Sequence, residues 1–236
     1  MPYKARVPVL NRLLEELPRR DLQRLLPHLE PVSLTLGDVL YEPGSRIEHC
    51  YFPNEGVVSL LTVLEPRKSA EVGMVGREGL VGMSAAVGIN VSPFRAVVQG
   101  SGSAMRISAA NLKNEFAASD SLHHGLFRFN HALTGQIAQT AACNRFHTAE
   151  MRLARWLLVT RDRLRSASFR LTHEFLSLMI GARRVGVTAA AGKLARQNLI
   201  TYSRGNIRIL DSTGLEAASC GCYRVVKAMY GLLARH

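Results

Sequence analysis

Residues 121–144 contain no proline, and the positions Leu122, Leu126, Phe129, Leu133, Ile137 and Thr140 advance by three or four along them. At 1.5 Å per residue a helix of that length reaches about 36 Å, more than the width of a small domain. Such a helix has to run along or between domains, and its narrow seam is suited to packing against another helix. A homodimer contact is therefore expected along about 121–144, with packing on the chain's own domain as the alternative.

The texture differs on either side of that helix. Apolar residues at Leu10, Leu13, Leu14 and Leu17, then Leu22, Leu25, Leu26 and Leu29, predict two short helices separated by Pro18. From Val32 to about Ile107 short β-branched runs are broken by turn residues, as in Val39-Leu40-Tyr41-Glu42-Pro43-Gly44. That rhythm predicts a small antiparallel barrel or roll. Beyond Asn144, Thr148 is placed to cap a helix over 149–164. The expected order then runs helix (172–180), turn, helix (183–197), two strands about Arg204-Gly205-Asn206, and a last helix over 214–233. The fold class is α+β: an N-terminal antiparallel β-roll with a long helix over 1–147, and a C-terminal domain over 148–236.

Charge separates the same two halves. From Thr148 onward there are 15 Lys and Arg against 5 Asp and Glu, whereas residues 1–147 carry 15 against 13. A compact basic domain attracts polyanions, because each cation set beside a phosphate releases a condensed counterion. The uncharged run from Gly79 to about Ile89 is far shorter than the ~20 residues of a bilayer span, and the start offers no apolar region for a secretory signal. Nucleic acid or an anionic membrane surface is the expected partner class, and the cytoplasm, with no span of a membrane, the expected setting.

The segment from His173 meets the demands of a helix-turn-helix position by position. Its ninth residue, where the turn needs φ > 0, is Gly181, and its fifth, which must be small, is Ser177. Leu176, Ile180, Ala182, Val187 and Ala190 fill the five inward positions. The strands that follow alternate about a glycine turn, which makes a wing. On the second helix the outward positions Arg183, Arg184, Val185, Thr188 and Ala189 are the candidates for reading bases. Paired arginines suit guanine O6 and N7, and Val185 or Thr188 a thymine methyl. Lys193, Arg196, Arg204 and Arg208 are the candidates for phosphates, with a plain solvated charge as the alternative for each.

These residues, from Leu171-Thr172-His173-Glu174 through Gly181 and Arg184 to Gln197-Asn198-Leu199-Ile200, resemble the DNA-binding end of the cyclic-AMP receptor protein and Fnr superfamily. Gly37-Asp38, Tyr41-Glu42-Pro43-Gly44, Glu55-Gly56-Val57-Val58 and Glu71 to Gly79 are similar to successive turns of that family's cyclic-nucleotide roll, so the resemblance covers nearly the whole chain. It implies a regulator of transcription that binds a roughly palindromic operator as a homodimer. Its expected partners are double-stranded DNA and a second copy of the chain, with room for RNA polymerase and an unidentified small-molecule effector. Within the resemblance, Arg184 matches the family's guanine-reading arginine, while Val185 stands where the best-known members carry an acidic residue.

The ligand cassette departs from the family's pattern. Cyclic-AMP binders carry a Gly-Glu pair for the ribose and an Arg-Ser pair for the phosphate, whereas here Gly82-Met83-Ser84 and Phe94-Arg95 occupy those places. Arg95 is offset by one residue, which turns a strand side chain to the other face. A degenerate pocket at Gly82, Met83, Ser84, Phe94 and Arg95, with no response to cyclic AMP, is expected. No cysteine precedes Pro31, which argues against an Fnr-type iron–sulfur sensor.

Neither a phosphate-binding glycine loop nor a catalytic constellation is present, so an enzyme is not expected. Among Cys50, Cys143, Cys220 and Cys222 only the Cys220-x-Cys222 pair has metal-like spacing, and His123, His124 and His131 lack matching carboxylates. No cofactor or metal is expected, and the cysteines read as reduced structural thiols. Two further readings stay open: a non-specific architectural DNA binder, and a thiol-based redox regulator using Cys143, Cys220 or Cys222.

Overall fold

A computed structural model describes residues 9–65, 68–203 and 205–234. The chain forms two compact units, one holding the residues up to Val58 with Val75–Phe129, the other Ser59–Met74 with the chain from Asn130 onward.

Two short helices, α1 (Arg12–Glu15) and α2 (Arg19–Leu25), lead into β1 (Glu30–Leu34), β2 (Val39–Tyr41), β3 (His49–Pro53), β4 (Val57–Glu65), β5 (Lys68–Val75), β6 (Arg95–Gly100) and β7 (Gly102–Ser108). The strands make two antiparallel sheets, β1-β7-β3 and β2-β6-β4-β5, which is the roll expected over 32–107. Register is set by burial: Cys50 and Phe52 of β3 pair with Ile107 and Met105 of β7, and all four are buried. Asn11 is fully buried yet satisfied. Its Nδ2 donates to Pro53 O and Gly79 O at 2.9 Å each, and its Oδ1 accepts from Leu13 N.

Helices α3 (Ala109–Ala118) and α4 (Asp120–Phe146) follow the roll. The expected seam of α4 is covered within the single chain: Leu122, Leu126, Phe129, Leu133 and Thr140 are buried and Ile137 half-buried. The apolar stripe therefore serves the chain's own core, the alternative that the sequence left open. A second stripe, Phe127, His131, Thr134, Ala138 and Ala141, is exposed at the same spacing and carries no acid or lysine.

In the second unit α5 (Ala149–Leu164) begins at Thr148, whose Oγ1 accepts from Met151 N at 3.3 Å. Every residue from Leu153 to Thr160 is buried, so α5 is the central helix on which its neighbours pack. Glu71 is buried beside it: Trp156 Nε1 donates to Glu71 Oε1 at 3.0 Å and Ser59 Oγ to Oε2 at 2.6 Å. Burial pushes the Glu71 carboxyl up to about 7, against the opposing pull of Ser59, Arg155, Trp156 and Arg163.

The remaining elements are β8 (Ser168–Arg170), α6 (His173–Met179), α7 (Arg184–Arg196), β9 (Ile200–Ser203), β10 (Asn206–Ile209), α8 (Ser212–Ala218) and α9 (Cys222–Gly231). Two differ from expectation. Strand β8 adds a third strand to the wing, in the order β8-β10-β9, and three residues are too short to show a period. The single helix expected over 214–233 is two, because Ser219 turns to extended backbone (φ −78°, ψ 166°) and its Oγ donates to Glu216 O at 2.8 Å. The break lets Leu215, Cys220, Cys222, Tyr223 and Val226 all be buried.

Candidate nucleic-acid interface

Helix α6 is started by Thr172, whose Oγ1 accepts from Phe175 N at 3.1 Å. It ends at the turn where Gly181 has φ +58°. Arg152 spans this turn, its Nη1 lying 3.2 Å from Gly181 O and 3.4 Å from Asn144 O. Leu176, Ile180, Val187 and Ala190 are buried as expected, joined by Met179 and Leu194, while Ala182 is half-buried.

With that face turned inward, Arg183, Arg184, Val185, Thr188 and Ala189 come out together on the exposed side of α7, Val185 at 81% exposure. Arg183 is the N-cap residue and makes no side-chain cap, and the first turn holds no acid. Two cations at the positive end of a helix dipole cost about 0.3–1 kcal/mol each where they serve only the fold. The same arrangement of free backbone N–H groups and arginines suits an anion. Thr188 is exposed, but its Oγ1 is engaged internally, 3.1 Å from Arg184 O, to which it donates, and 3.0 Å from His173 Nδ1. The His173 ring stacks on Tyr202 at 4.4 Å, so the base of the wing is tied to α6. Burial, with the nearby Arg184 charge, lowers the His173 imidazole from its ordinary value and so disfavours the charged ring.

The four phosphate candidates separate. Arg196 and Arg208 are exposed, Arg208 on the outer face of the wing. Lys193 Nζ pairs with Glu150 at 2.5 Å, which neutralises part of its charge. Arg204 lies outside the described residues. One cation was missed: Arg170 on β8 is exposed and directly opposite Asn206 on β10, on the same face as Arg208. The signal for it lay in the Ser168–Arg170 strand, which is legible only once paired.

In the roll Gly82 has φ +86°, and the hydroxyl of Tyr41 lies 2.5 Å from where a side chain would begin, so only glycine fits. Met83 and Ser84 start the short helical turn Met83–Val87, and Phe94 is half-buried. Arg95 is engaged at the surface, its Nε 2.8 Å from Glu42 Oε2. The cysteine spacings that argued against a metal set do not limit the folded chain, which brings Cys143, His147, Cys220 and Cys222 together in space. Cys50 stands apart in the roll.

Two family profiles match the chain: the cyclic nucleotide-binding domain over residues 31–119 and the Crp-like helix-turn-helix domain over 151–218. Among solved structures, FixK2 from Bradyrhizobium japonicum is 14% identical with a TM-score of 0.69, covering 81% of this chain and 98% of its own. The c-di-GMP responsive global regulator CLP of Xanthomonas campestris is 15% identical with a TM-score of 0.68, covering 82% and 100%. A CRP-family transcriptional regulator from Thermus thermophilus is 18% identical with a TM-score of 0.67, covering 80% and 96%. No curated protein matches the chain. Among the described residues no helix is long and apolar enough to cross a membrane.

Proposed function

Because the chain belongs to the Crp/Fnr family of transcriptional regulators, whose fold is not that of an enzyme, we propose that it binds a roughly palindromic duplex operator as a homodimer in the cytoplasm. The observation that carries this reading is the exposed face of Arg183, Arg184, Val185, Thr188 and Ala189 on α7, rigidly backed by the buried face of the same helix. In the proposal this face enters the major groove, Arg184 reads a guanine, and Val185 and the Thr188 methyl meet thymine. Arg196, Arg170 and Arg208 meet phosphates in the proposal, and Arg204 remains a phosphate candidate on its sequence position alone. The DNA-binding domain is taken to begin at Thr148.

The second copy docks along the exposed stripe of α4, where Phe127, 53% exposed, leads a run of residues with no acid or lysine to desolvate. Two-fold symmetry then sets half-sites about 34 Å apart. Cyclic AMP is not the effector: Met83 offers no acceptor to a ribose, and Arg95 is already paired with Glu42. CLP is c-di-GMP responsive on a similar fold, so another small molecule remains open to the roll.

The test is selection of bound fragments from a random duplex library by the full chain, without ligand, at near-physiological salt. A palindrome that Arg184→Ala relaxes at one base step per half-site supports the reading. Retention of DNA without enrichment of any sequence favours a non-specific architectural binder instead.

A further inference from the structure

Three of the chain's four cysteines, separated by up to 79 residues from Cys143 to Cys222, meet at one place in the second unit. Cys143 lies in the last turn of α4 and His147 one turn further on. Cys220 lies in the turn between α8 and α9, and Cys222 opens α9 directly after its N-cap Gly221. The three sulfurs and a His147 ring nitrogen all lie within 4.8 Å of one another. Cys143 Sγ is 3.5 Å from Cys220 Sγ, and Cys222 Sγ is 3.5 Å from His147 Nδ1.

Those separations can be set against coordination chemistry. Zinc bonds of about 2.3 Å to sulfur and about 2.0 Å to nitrogen put the corners of a tetrahedron about 3.8 Å apart for two sulfurs and about 3.5 Å for sulfur and nitrogen. The Cys143–Cys220 and Cys222–His147 separations of 3.5 Å lie within about 0.3 Å of tetrahedron edges, and the 4.8 Å bound on the rest needs closure by about 1 Å. An iron–sulfur cube holds its cysteines much farther apart, so the set fits one ion and not a cluster. We propose that Cys143, His147, Cys220 and Cys222 form a closed Cys3His site for a single tetrahedral zinc ion.

The surroundings suit the charge of such a site. Three thiolates around a divalent ion leave one net negative charge. Arg155, on α5, is 3% exposed and its Nε has no hydrogen-bond partner, so a buried cation stands in the same unit. Gln139 Nε2 donates to Cys222 Sγ at 3.1 Å, the kind of N–H contact that orients a metal-bound sulfur. Cys143, Cys220 and Cys222 are buried, with Met151 packed against them, while His147 is half-buried. No position is left for a substrate, so the ion's role is to fasten the end of α4 to the α8–α9 turn, next to the Thr148 cap from which α5 starts. A simple Cys143–Cys220 disulfide would use the same 3.5 Å contact but leaves the convergence of His147 and Cys222 without a purpose.

The test uses the full chain, reduced and stripped of metal, titrated with cobalt(II) and then competed with zinc(II). The expected result is about one cobalt per chain with the intense d–d and thiolate charge-transfer bands of a tetrahedral sulfur-rich site, displaced by zinc. Cys50→Ser leaves the spectrum unchanged. Cys222→Ser abolishes the tight site, and His147→Ala, at a half-exposed position that leaves the core intact, weakens it and shifts the d–d bands. Gln139→Ala lowers affinity about 10-fold. Absence of these bands in the parent protein overturns the proposal, as do bands that persist unchanged in both Cys222→Ser and His147→Ala. A reduced protein that takes up no metal but forms a Cys143–Cys220 disulfide in air overturns it in favour of a redox pair.

Discussion

Replacing Glu71 by Gln isolates the buried carboxyl that pairs with Trp156. Gln keeps the shape, accepting from Trp156 Nε1 through its oxygen and donating to Ser59 through its amide, so the change removes the charge and little else. The Glu71 carboxyl is raised from 4.5 to about 7, so between those values the folded protein holds a proton that the unfolded chain has released. Stability from this group is therefore fully present below pH 4.5 and falls as pH rises to about 7. A shift of that size corresponds to about 3 kcal/mol, all of it incurred at pH 8. Glu71→Gln should match the parent within about 1 kcal/mol at pH 4.5 and exceed it by about 3 kcal/mol at pH 8, a gain of about 6–12 °C in Tm. Trp156 is the only tryptophan, so its fluorescence during urea unfolding reports on the site itself. A stability difference that is the same at both pH values, or a variant less stable at pH 8, would refute the reasoning.

Other outcomes follow from the same geometry. Arg184→Ala should cost about 1–3 kcal/mol of discrimination at one base step per half-site, read by competition between operator variants. Arg208→Ala should weaken binding equally on every sequence and lower the slope of log K against log salt by about 1. Gly181→Ala meets no atom closer than 3.5 Å, so its cost is that of φ +58° alone. About 1–2 kcal/mol lost in thermal or urea unfolding is expected, and a neutral result would mean the turn is not left-handed. Added cyclic AMP should release no heat in calorimetry and leave DNA affinity unchanged, since Arg95 stays with Glu42.

The helix-turn-helix was legible because its requirements are local. Within twenty residues a period of 3.6 decides which side chains face inward, and one turn needs the φ that only glycine adopts freely. The order of roll, long helix and basic domain was legible for the same reason, since each is written in periodicity, turn residues and charge. What the tertiary structure alone decided involves residues distant in the chain. The apolar seam of α4 was expected to meet a second copy, and only the packed chain shows that it is covered from within. Lys193 looked like a free cation until Glu150, 43 residues away, was placed beside it. Glu71 and Trp156 are 85 residues apart, and nothing in the spacing of either marks the pair. Cys143 and His147 stand four apart at the end of a helix and Cys220 and Cys222 two apart at the start of another, each an ordinary spacing. They come within 4.8 Å of one another only because the break at Ser219 turns the α8–α9 corner onto the end of α4, a corner whose Leu215, Tyr223 and Val226 are buried with the cysteines.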